Sequence, residues 1–165
     1  MREIRKATTA DCRLIHRMAS EVFPRTYAGI ISPDQIAFMM DWMYSVSSLE
    51  SQMTEQHHTY LIASEDGRET GYVSVQPVDD DLWELQKIYV LPLAQGSGTG
   101  RYLFEQAVKY VKECHPAPLK MELHVNRNNP AIGFYEHLGM HKDREGDFDI
   151  GHGFYMNDYI MAMNI

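Results

Sequence analysis

The chain has 165 residues, a length for which a single domain over residues 1–165 is the simplest expectation. Its 44% apolar and 23% charged residues are the balance of an ordinary globular domain with a hydrophobic core. Asp and Glu outnumber Lys and Arg by 23 to 15, and the resulting formal charge of −8 argues against nucleic acid or an anionic membrane surface as a partner.

The sequence also lacks the usual marks of export or membrane insertion. No apolar run reaches the roughly 18–20 residues that a membrane span needs, and the first residues, MREIRKATTADCRL, have no apolar signal-peptide region. Cys12 and Cys114 form neither a CxxC pair nor a zinc-finger spacing, which favours a reducing compartment. We therefore expect a cytoplasmic protein, either a monomer or a homodimer.

The first third of the chain has one short strand followed by helical periodicity. Residues 2–7 alternate weakly and predict a strand. Apolar residues then recur on one face of a helix that we expect Pro24 and Gly29 to end: Leu14, Ile15, Met18, Ala19, Val22 and Phe23. Ser32-Pro33 begins a second helix with a methionine stripe, interpreted as core or a lid over a pocket. A third short helix is predicted near residues 48–56.

After residue 57 the periodicity becomes that of strands. Three strands are predicted in a meander: residues 59–63, 70–75 and 82–91. A glycine-rich loop then precedes a helix that ends before Pro116. The remaining segments predict a strand, a short helix and two further strands: residues 119–125, 130–138, 141–148 and 153–163. This order predicts a mixed α/β fold with antiparallel and crossover connections.

The glycine-rich loop, which runs from Gln95 to Arg101, carries three alternate glycines, Gly96, Gly98 and Gly100. Such a loop turns tightly and directs several N–H groups into one concavity, to which the following helix adds the positive end of its dipole. These features predict a phosphate site, where Arg101 adds a charge-assisted contact. A P-loop would need a Lys after the glycines and a dinucleotide fingerprint would need Gly at position 101, and the loop has neither.

Two blocks of sequence resemble one family. Residues 85–103 (LQKIYVLPLAQGSGTGRYL) are similar to the acetyl-CoA signature of the GNAT superfamily of N-acetyltransferases. Residues 128–140 match a second block of that family, N-x-x-A-I-x-F-Y-x-x-x-G-M, in the right order and at the right separation. The resemblance implies the GNAT fold, a mixed and mostly antiparallel central sheet flanked by helices. It also implies N-acetyltransferase activity with acetyl-CoA as co-substrate.

The same resemblance implies roles for particular residues. The end of the fourth strand would offer backbone groups to the pantetheine arm, at Ile88, Tyr89 and Val90. The pyrophosphate would lie on the glycine loop: Gln95, Gly96, Ser97, Gly98, Thr99, Gly100 and Arg101. Asn128 matches an Asn that contacts the cofactor, and Tyr135 matches a Tyr near the thioester sulfur. Because many members carry Arg or Lys where Gly96 stands, phosphate binding must depend more on backbone N–H groups and Arg101.

Acetyl transfer to an amine requires a base, an oxyanion site and an acid for the leaving thiolate. Tyr135 is the candidate acid, from its place in the second block, and the N–H groups of residues 88–90 are the candidate oxyanion donors. Glu84 is the candidate base, since the family commonly carries a carboxylate or His at a position matching Glu84 or Gln86. We expect Glu84, Gln86 and Ile88 to share one face of the strand. A surface carboxylate or a substrate anchor is the alternative for Glu84.

The eight histidines, His124 among them, are interpreted as solvated or structural. No pair has metal-ligand spacing, so no metal site is predicted.

Acidic and aromatic residues in the first helices and last strands suit a cationic amine: Asp34, Asp41, Glu50, Asp147, Asp149 and Asp158, with Tyr27, Trp42, Tyr44, Phe154, Tyr155 and Tyr159. Residues 21–27 and 154–163 are loosely similar to the polyamine-acetylating branch. The alternative is that these carboxylates only solvate the surface, and protein N-termini, lysines and drug-like amines stay open as acceptors. A non-enzymatic acyl-CoA-binding module and another α/β class of nucleotide-binding protein are the rival functions.

Overall fold

A computed structural model of the chain describes residues 1–165. The predicted mixed α/β class is confirmed, and the elements follow the predicted order: β1 (Arg2–Lys6), α1 (Cys12–Tyr27), α2 (Pro33–Tyr44), α3 (Val46–Thr54), β2 (Thr59–Glu65), β3 (Arg68–Asp79), β4 (Leu82–Val90), α4 (Thr99–Cys114), β5 (Lys120–Asn126), α5 (Ile132–His137), β6 (His141–Gly151) and β7 (Phe154–Asn164). None of the helices combines the length and the apolar character needed to cross a membrane.

The seven strands form a single sheet in the order β1-β2-β3-β4-β5-β7-β6. Every neighbouring pair is antiparallel except β4 and β5, which run parallel. A parallel pair needs a long crossover, and the loop with α4 between β4 and β5 supplies it. The sheet is therefore mostly antiparallel, with one parallel junction near its centre.

Helices cover both faces of this sheet. α4 packs its apolar face on one side, through Leu103, Phe104, Ala107 and Val111. On the other side α1, α2 and α3 pack over an aromatic layer that includes Tyr44, Tyr60 and Tyr72. Met39 of the methionine stripe is buried in this second layer, as the core interpretation expected.

Helix α1 continues past Pro24 to Tyr27, so of the two residues predicted to end it only Gly29 lies at its C-terminus. Pro24 has no N–H and so removes one helical hydrogen bond, yet the last turn is held by other contacts. The ring of Phe23 packs against Tyr27 with their centroids 4.7 Å apart, and Thr26 Oγ1 donates to the carbonyl of Val22 at 2.9 Å. This extra turn matters because Thr26 and Tyr27 line the candidate site.

Helix α3 begins at Val46, slightly earlier than the predicted start near residue 48. Its cap is Ser45, whose hydroxyl accepts the backbone N–H of Ser48 at 3.2 Å. Several serines in this segment are acceptable caps, and the sequence alone does not distinguish among them.

Candidate active site

The centre of the sheet contains a cleft where β4 and β5 separate. The two strands pair only over Leu82–Glu84 and Lys120–Glu122. Beyond this point β4 stays paired with β3 as far as Val90, and β5 stays paired with β7 as far as Asn126. A cavity of about 160 Å³ lies between the diverging strands, and we call it the central cavity. Its unpaired strand edge is suited to an extended ligand that adds like a further strand.

A β-bulge at Gln86 changes which side chains face each side of the sheet. Leu85 pairs with Val75 and Lys87 with Ser74, so Gln86 is an extra residue in β4. As a result Ile88 packs with Leu85 on the α4 side, and Lys87 points toward α2 and α3. The prediction that Glu84, Gln86 and Ile88 share one face is therefore wrong, because it assumed unbroken alternation.

The backbone N–H and C=O groups of β4 point alternately toward β3 and toward the cleft between β4 and β5. The N–H of Leu91 donates to the carbonyl of Thr70 next to β3. Since successive residues of a strand direct their backbone groups to opposite edges, Tyr89 also faces β3, and Ile88 and Val90 face the cleft. Of the three residues predicted to offer backbone groups there, only Ile88 and Val90 can do so, whereas the Tyr89 side chain packs among the core aromatics.

The glycine loop adopts the conformation that its sequence suggested. Gly96 and Gly98 have φ of +81° and +83°, in the left-handed region that favours glycine, and Gly98 is the N-cap of α4. The N–H groups of Gly96, Gly98, Thr99, Gly100 and Arg101 donate to no backbone carbonyl. Five free donors at the N-terminus of a sixteen-residue helix form a favourable site for an anion.

A second cavity of about 570 Å³, here called the loop cavity, lies over these donors. It gathers most of the residues predicted to bind the cofactor: Ile88, Val90, Gln95, Gly96, Gly98, Thr99, Gly100, Arg101 and Tyr135. Gln95 joins it to the central cavity and donates its side-chain amide to the carbonyl of Val90 at 3.2 Å. Arg101 is exposed and pairs with Glu105 at 3.0 Å, so Glu105 offsets part of the positive charge that Arg101 brings to the loop.

Other predicted cofactor residues lie at the margin. Ser97 lines neither cavity; its carbonyl accepts from Arg2 at 2.7 Å, which braces the loop against β1. Asn128 is exposed and also lines neither cavity, whereas the adjacent Asn129 is buried and lines the central cavity. The sequence block did not distinguish these two asparagines, because both precede the same short helix.

Tyr135, on α5, lines both the central cavity and the loop cavity. It is 8% exposed, and burial raises the pKa of its hydroxyl above the ordinary value for tyrosine. A buried phenol of this kind stays protonated at neutral pH and can donate a proton or a hydrogen bond. Its position beside both cavities fits the role that the sequence gave it.

Glu84 lies in a row of three titratable groups centred on His124, which the sequence had suggested to be a solvated or structural histidine. His124 Nε2 is 3.6 Å from Glu84 Oε1, and His124 Nδ1 is 3.6 Å from Asp158 Oδ2. The contact with Asp158 is the main cause that raises the pKa of His124; burial opposes it and the charge of Glu84 adds to it. Burial likewise raises the pKa of Glu84.

Of these three groups, His124 reaches the central cavity and Glu84 does not line it. The alternation of LKMELHV already placed Glu122 and His124 on one face of β5. What the sequence did not provide was the register, in which Glu84 pairs with Glu122 and so lies near residue 124.

Comparison with known proteins gives a consistent result. The family model described as "Acetyltransferase (GNAT) family" matches residues 20–140. An uncharacterized N-acetyltransferase of Mycobacterium tuberculosis is 28% identical over 156 residues, which are 94% of this chain and 98% of the relative. The spermidine N(1)-acetyltransferase of Thermoplasma acidophilum is 27% identical over 136 residues, which are 80% of this chain and 82% of that protein.

A solved structure has the same fold over the whole chain. The PaiA N-acetyltransferase of Thermoplasma acidophilum, crystallised in complex with coenzyme A, superposes with a TM-score of 0.83 at 25% identity. The match covers 100% of this chain and 99% of that one.

Proposed function

Because this chain belongs to the GNAT family of acetyltransferases and is an N-acetyltransferase, we propose that it transfers the acetyl group of acetyl-CoA to a primary amine. Both substrates bind together, and the amine attacks the thioester directly. The observation that carries this proposal is the continuity of the loop cavity and the central cavity, which share Ile88, Val90, Gln95 and Tyr135. One bound molecule can therefore place a phosphate group on the loop and a reactive group beside Tyr135.

The residues of the loop fit the cofactor. The free N–H groups from Gly96 to Arg101 suit a pyrophosphate, which an acidic protein can bind through backbone donors and a helix terminus without a high overall positive charge. The open edge of β4 suits an amide-containing arm, because Ile88 presents its backbone groups there and Val90 its N–H, while the Val90 carbonyl accepts from Gln95. Acetyl-CoA supplies an activated acyl group and a thiolate leaving group.

Stabilisation of the developing oxyanion falls to the cleft-facing N–H groups of β4. Ile88 and Val90 follow the bulge at Gln86, so their edge is held away from β5 and stays free to donate. Rigid backbone donors in a water-poor site lower the energy of an oxyanion with little reorganisation.

Tyr135 is the general acid. As the amine nitrogen bonds to the carbonyl carbon, the carbon–sulfur bond breaks, and Tyr135 transfers its proton to the departing sulfur. A tyrosine hydroxyl is protonated at neutral pH, and burial keeps that of Tyr135 so, which means that the proton is present when the thiolate leaves. The phenolate regains a proton from solvent after the amide has formed.

The base is assigned to His124 together with Glu84. A primary amine has a pKa of about 10.4, so it must lose a proton before or during attack. His124 lines the cavity and receives that proton, and Glu84 at 3.6 Å stabilises the resulting imidazolium. Glu84, the base candidate from the sequence, therefore stabilises the protonated His124 and does not itself take the proton from the amine.

The acceptor is a small cationic amine, with polyamines as the first class to test. Two residues support this: Tyr27 and the buried Asp158 lie beside His124, around a small space of about 20 Å³. The spermidine N(1)-acetyltransferase among the relatives supports the same class. Several other predicted substrate residues lie elsewhere; Tyr44 is a fully buried core residue, and Asp147 pairs with Arg127.

Turnover of an amine panel tests the proposal. Purified protein is mixed with acetyl-CoA and with polyamines, amino acids or peptides, and the release of free thiol is followed. We expect release with at least one cationic amine. Thermal stabilisation by acetyl-CoA without thiol release from any amine would favour the non-enzymatic acyl-CoA-binding module. Stabilisation by ATP or NAD but not by acetyl-CoA would refute the cofactor assignment.

A further inference from the structure

A cavity of about 450 Å³, here called the distal cavity, lies apart from the candidate active site. It is bounded by the end of β1, the turn from α3 into β2, the start of β4 and Tyr110 of α4. It shares no lining residue with the central cavity or the loop cavity. Its 13 lining residues include one lysine and two histidines but no Asp or Glu. In a chain of formal charge −8, a wall of this composition is suited to an anion.

Lys6 supplies this cavity with a positive charge that no carboxylate of the chain pairs with. Its Nζ lies 5.7 Å from the centroid of the Tyr110 ring, and the Tyr110 hydroxyl lies 3.2 Å from Thr59 Oγ1. The neighbouring Arg5, by contrast, is paired with Asp11 at 2.8 Å. The Lys6 ammonium is therefore placed over an aromatic ring and stays available to an anionic ligand.

His58 adds a hydrogen-bond donor to the same wall. Burial and the charge of Lys87 lower the pKa of His58 to about 4, so its ring is neutral at neutral pH and carries one N–H. The Nδ1 atom is closed off from solvent and has no hydrogen-bond partner. Because a buried N–H without an acceptor is rarely tolerated, the proton belongs on Nε2. His58 lines the distal cavity, so this N–H is a donor for a ligand there.

Much of the remaining wall is flat and apolar. Trp83 is 9% exposed, and its ring packs edge-on against that of Tyr110 with the centroids 6.5 Å apart. Met53 and Pro77 also line the cavity. Its volume lies in the range of about 300–1,000 Å³ that is typical of small-molecule sites. A flat organic body therefore fits beside the charged group.

The number of positive charges indicates which kind of anion fits. The cavity contains one lysine and no arginine, which matches a monoanion better than a phosphate ester with almost two negative charges. We propose that the distal cavity binds a small aromatic carboxylate, with Lys6 and the His58 N–H as the groups that recognise the carboxylate and the Trp83 and Tyr110 rings as its apolar wall. This site is separate from acetyl transfer and does not depend on the proposed function.

Tryptophan fluorescence tests the proposal. The chain has two tryptophans, and Trp42 is 46% exposed on α2, so in the variant Trp42→Phe only Trp83 emits. This variant is titrated with benzoate, with the neutral benzamide of the same shape, and with acetate, which has the charge without the ring. We expect a saturable change with benzoate and binding of benzamide and acetate that is at least about 10-fold weaker.

Two substitutions in the Trp42→Phe variant locate the binding. His58→Phe keeps a ring but removes the donor, and it should weaken benzoate binding about 10-fold. Lys6→Met should weaken it about 5-fold, the ratio that corresponds to an exposed ion pair. Lys142→Met is the matched control, because Lys142 also lies over a tyrosine ring, 4.4 Å from the Tyr159 centroid, but does not line the cavity. It should leave benzoate binding unchanged.

Several results would overturn the inference. Equal affinity for benzoate and benzamide would show that the charge is not recognised. Displacement of benzoate by acetyl-CoA would place benzoate in the loop cavity. Unchanged affinity in both Lys6→Met and His58→Phe would place it elsewhere on the protein, and Lys6→Met alone decides this point if His58→Phe does not fold, since Lys6 is exposed. Absence of both a saturable fluorescence change and thermal stabilisation by benzoate would exclude the site.

Discussion

Lys87 allows a quantitative test of how burial of an ionisable side chain makes the stability of the fold depend on pH. Its side chain is 7% exposed and has no carboxylate partner. Nζ donates to Gln52 Oε1 at 2.8 Å and to the Tyr60 hydroxyl at 2.5 Å, and it lies 4.4 Å from the centroid of the Tyr44 ring. Burial lowers the pKa of Lys87 from 10.5 to about 7. The folded state therefore holds this lysine in an environment that disfavours its charge.

The sign of the effect on stability follows from proton linkage. Between about pH 7 and pH 10 the unfolded chain keeps the Lys87 proton and the folded chain loses it, so the free energy of unfolding rises with pH. One proton corresponds to a slope of about 1.4 kcal/mol per pH unit, and the lowered pKa gives a gain of roughly 3–4 kcal/mol over this window. Tyrosines whose pKa is raised by burial, such as Tyr72, oppose the gain above about pH 10.

The test compares wild type with Lys87→Met by urea unfolding at several pH values from 7 to 10. The methionine fills a similar volume and carries no charge, so the difference in unfolding free energy between the two proteins should change with the stated slope. Lys109→Met, a substitution at an exposed position on α4, is the matched control and should track the wild type. Parallel curves for wild type and Lys87→Met would refute the reasoning.

Three further changes have defined outcomes. Tyr135→Phe should lower kcat about 100-fold or more and leave the calorimetric affinity for acetyl-CoA nearly unchanged; unaltered turnover would exclude it as the acid. Glu84→Gln should shift the acidic limb of the pH profile of kcat/KM to lower pH, because His124 loses a negative neighbour that raises its pKa. Complete loss of that limb would instead identify Glu84 itself as the base. Gly133→Ala should stabilise the protein to chemical denaturation by up to about 1 kcal/mol, because position 133 is helical and a Cβ there meets no atom within 4 Å; destabilisation would contradict this.

The sequence predicted the features that local chemistry determines. Gly96 and Gly98 take a positive φ because the turn into α4 needs it, and a side chain at either position would be strained. The periodicity of apolar residues in helices and strands also depends on neighbours a few residues away. It therefore predicted the order of the elements. The resemblance of two blocks to GNAT proteins then linked the loop to a cofactor.

The features that the sequence did not predict depend on distant contacts. The end of α1 is held past Pro24 by aromatic packing in the tertiary structure, including the Phe23–Tyr27 pair, and the helical propensity of proline gave no sign of it. His124 became a candidate base only when the parallel register of β4 and β5 placed it beside Glu84. The register between two strands that are distant in sequence cannot be predicted from local spacing or from composition.

The bulge at Gln86 connects the two unusual properties of β4. Without the extra residue, the alternation that buries Leu85 on the α4 side would place Lys87 on that side too, in the apolar core beside α4. With it, Lys87 meets the polar atoms of Gln52 and Tyr60, and the following residues turn their free backbone edge toward the cleft. The same insertion that buries a lysine thus also positions the edge proposed to bind the acyl donor. The cost of burying Lys87 and the free strand edge therefore arise from the same inserted residue, and removal of that residue would change both.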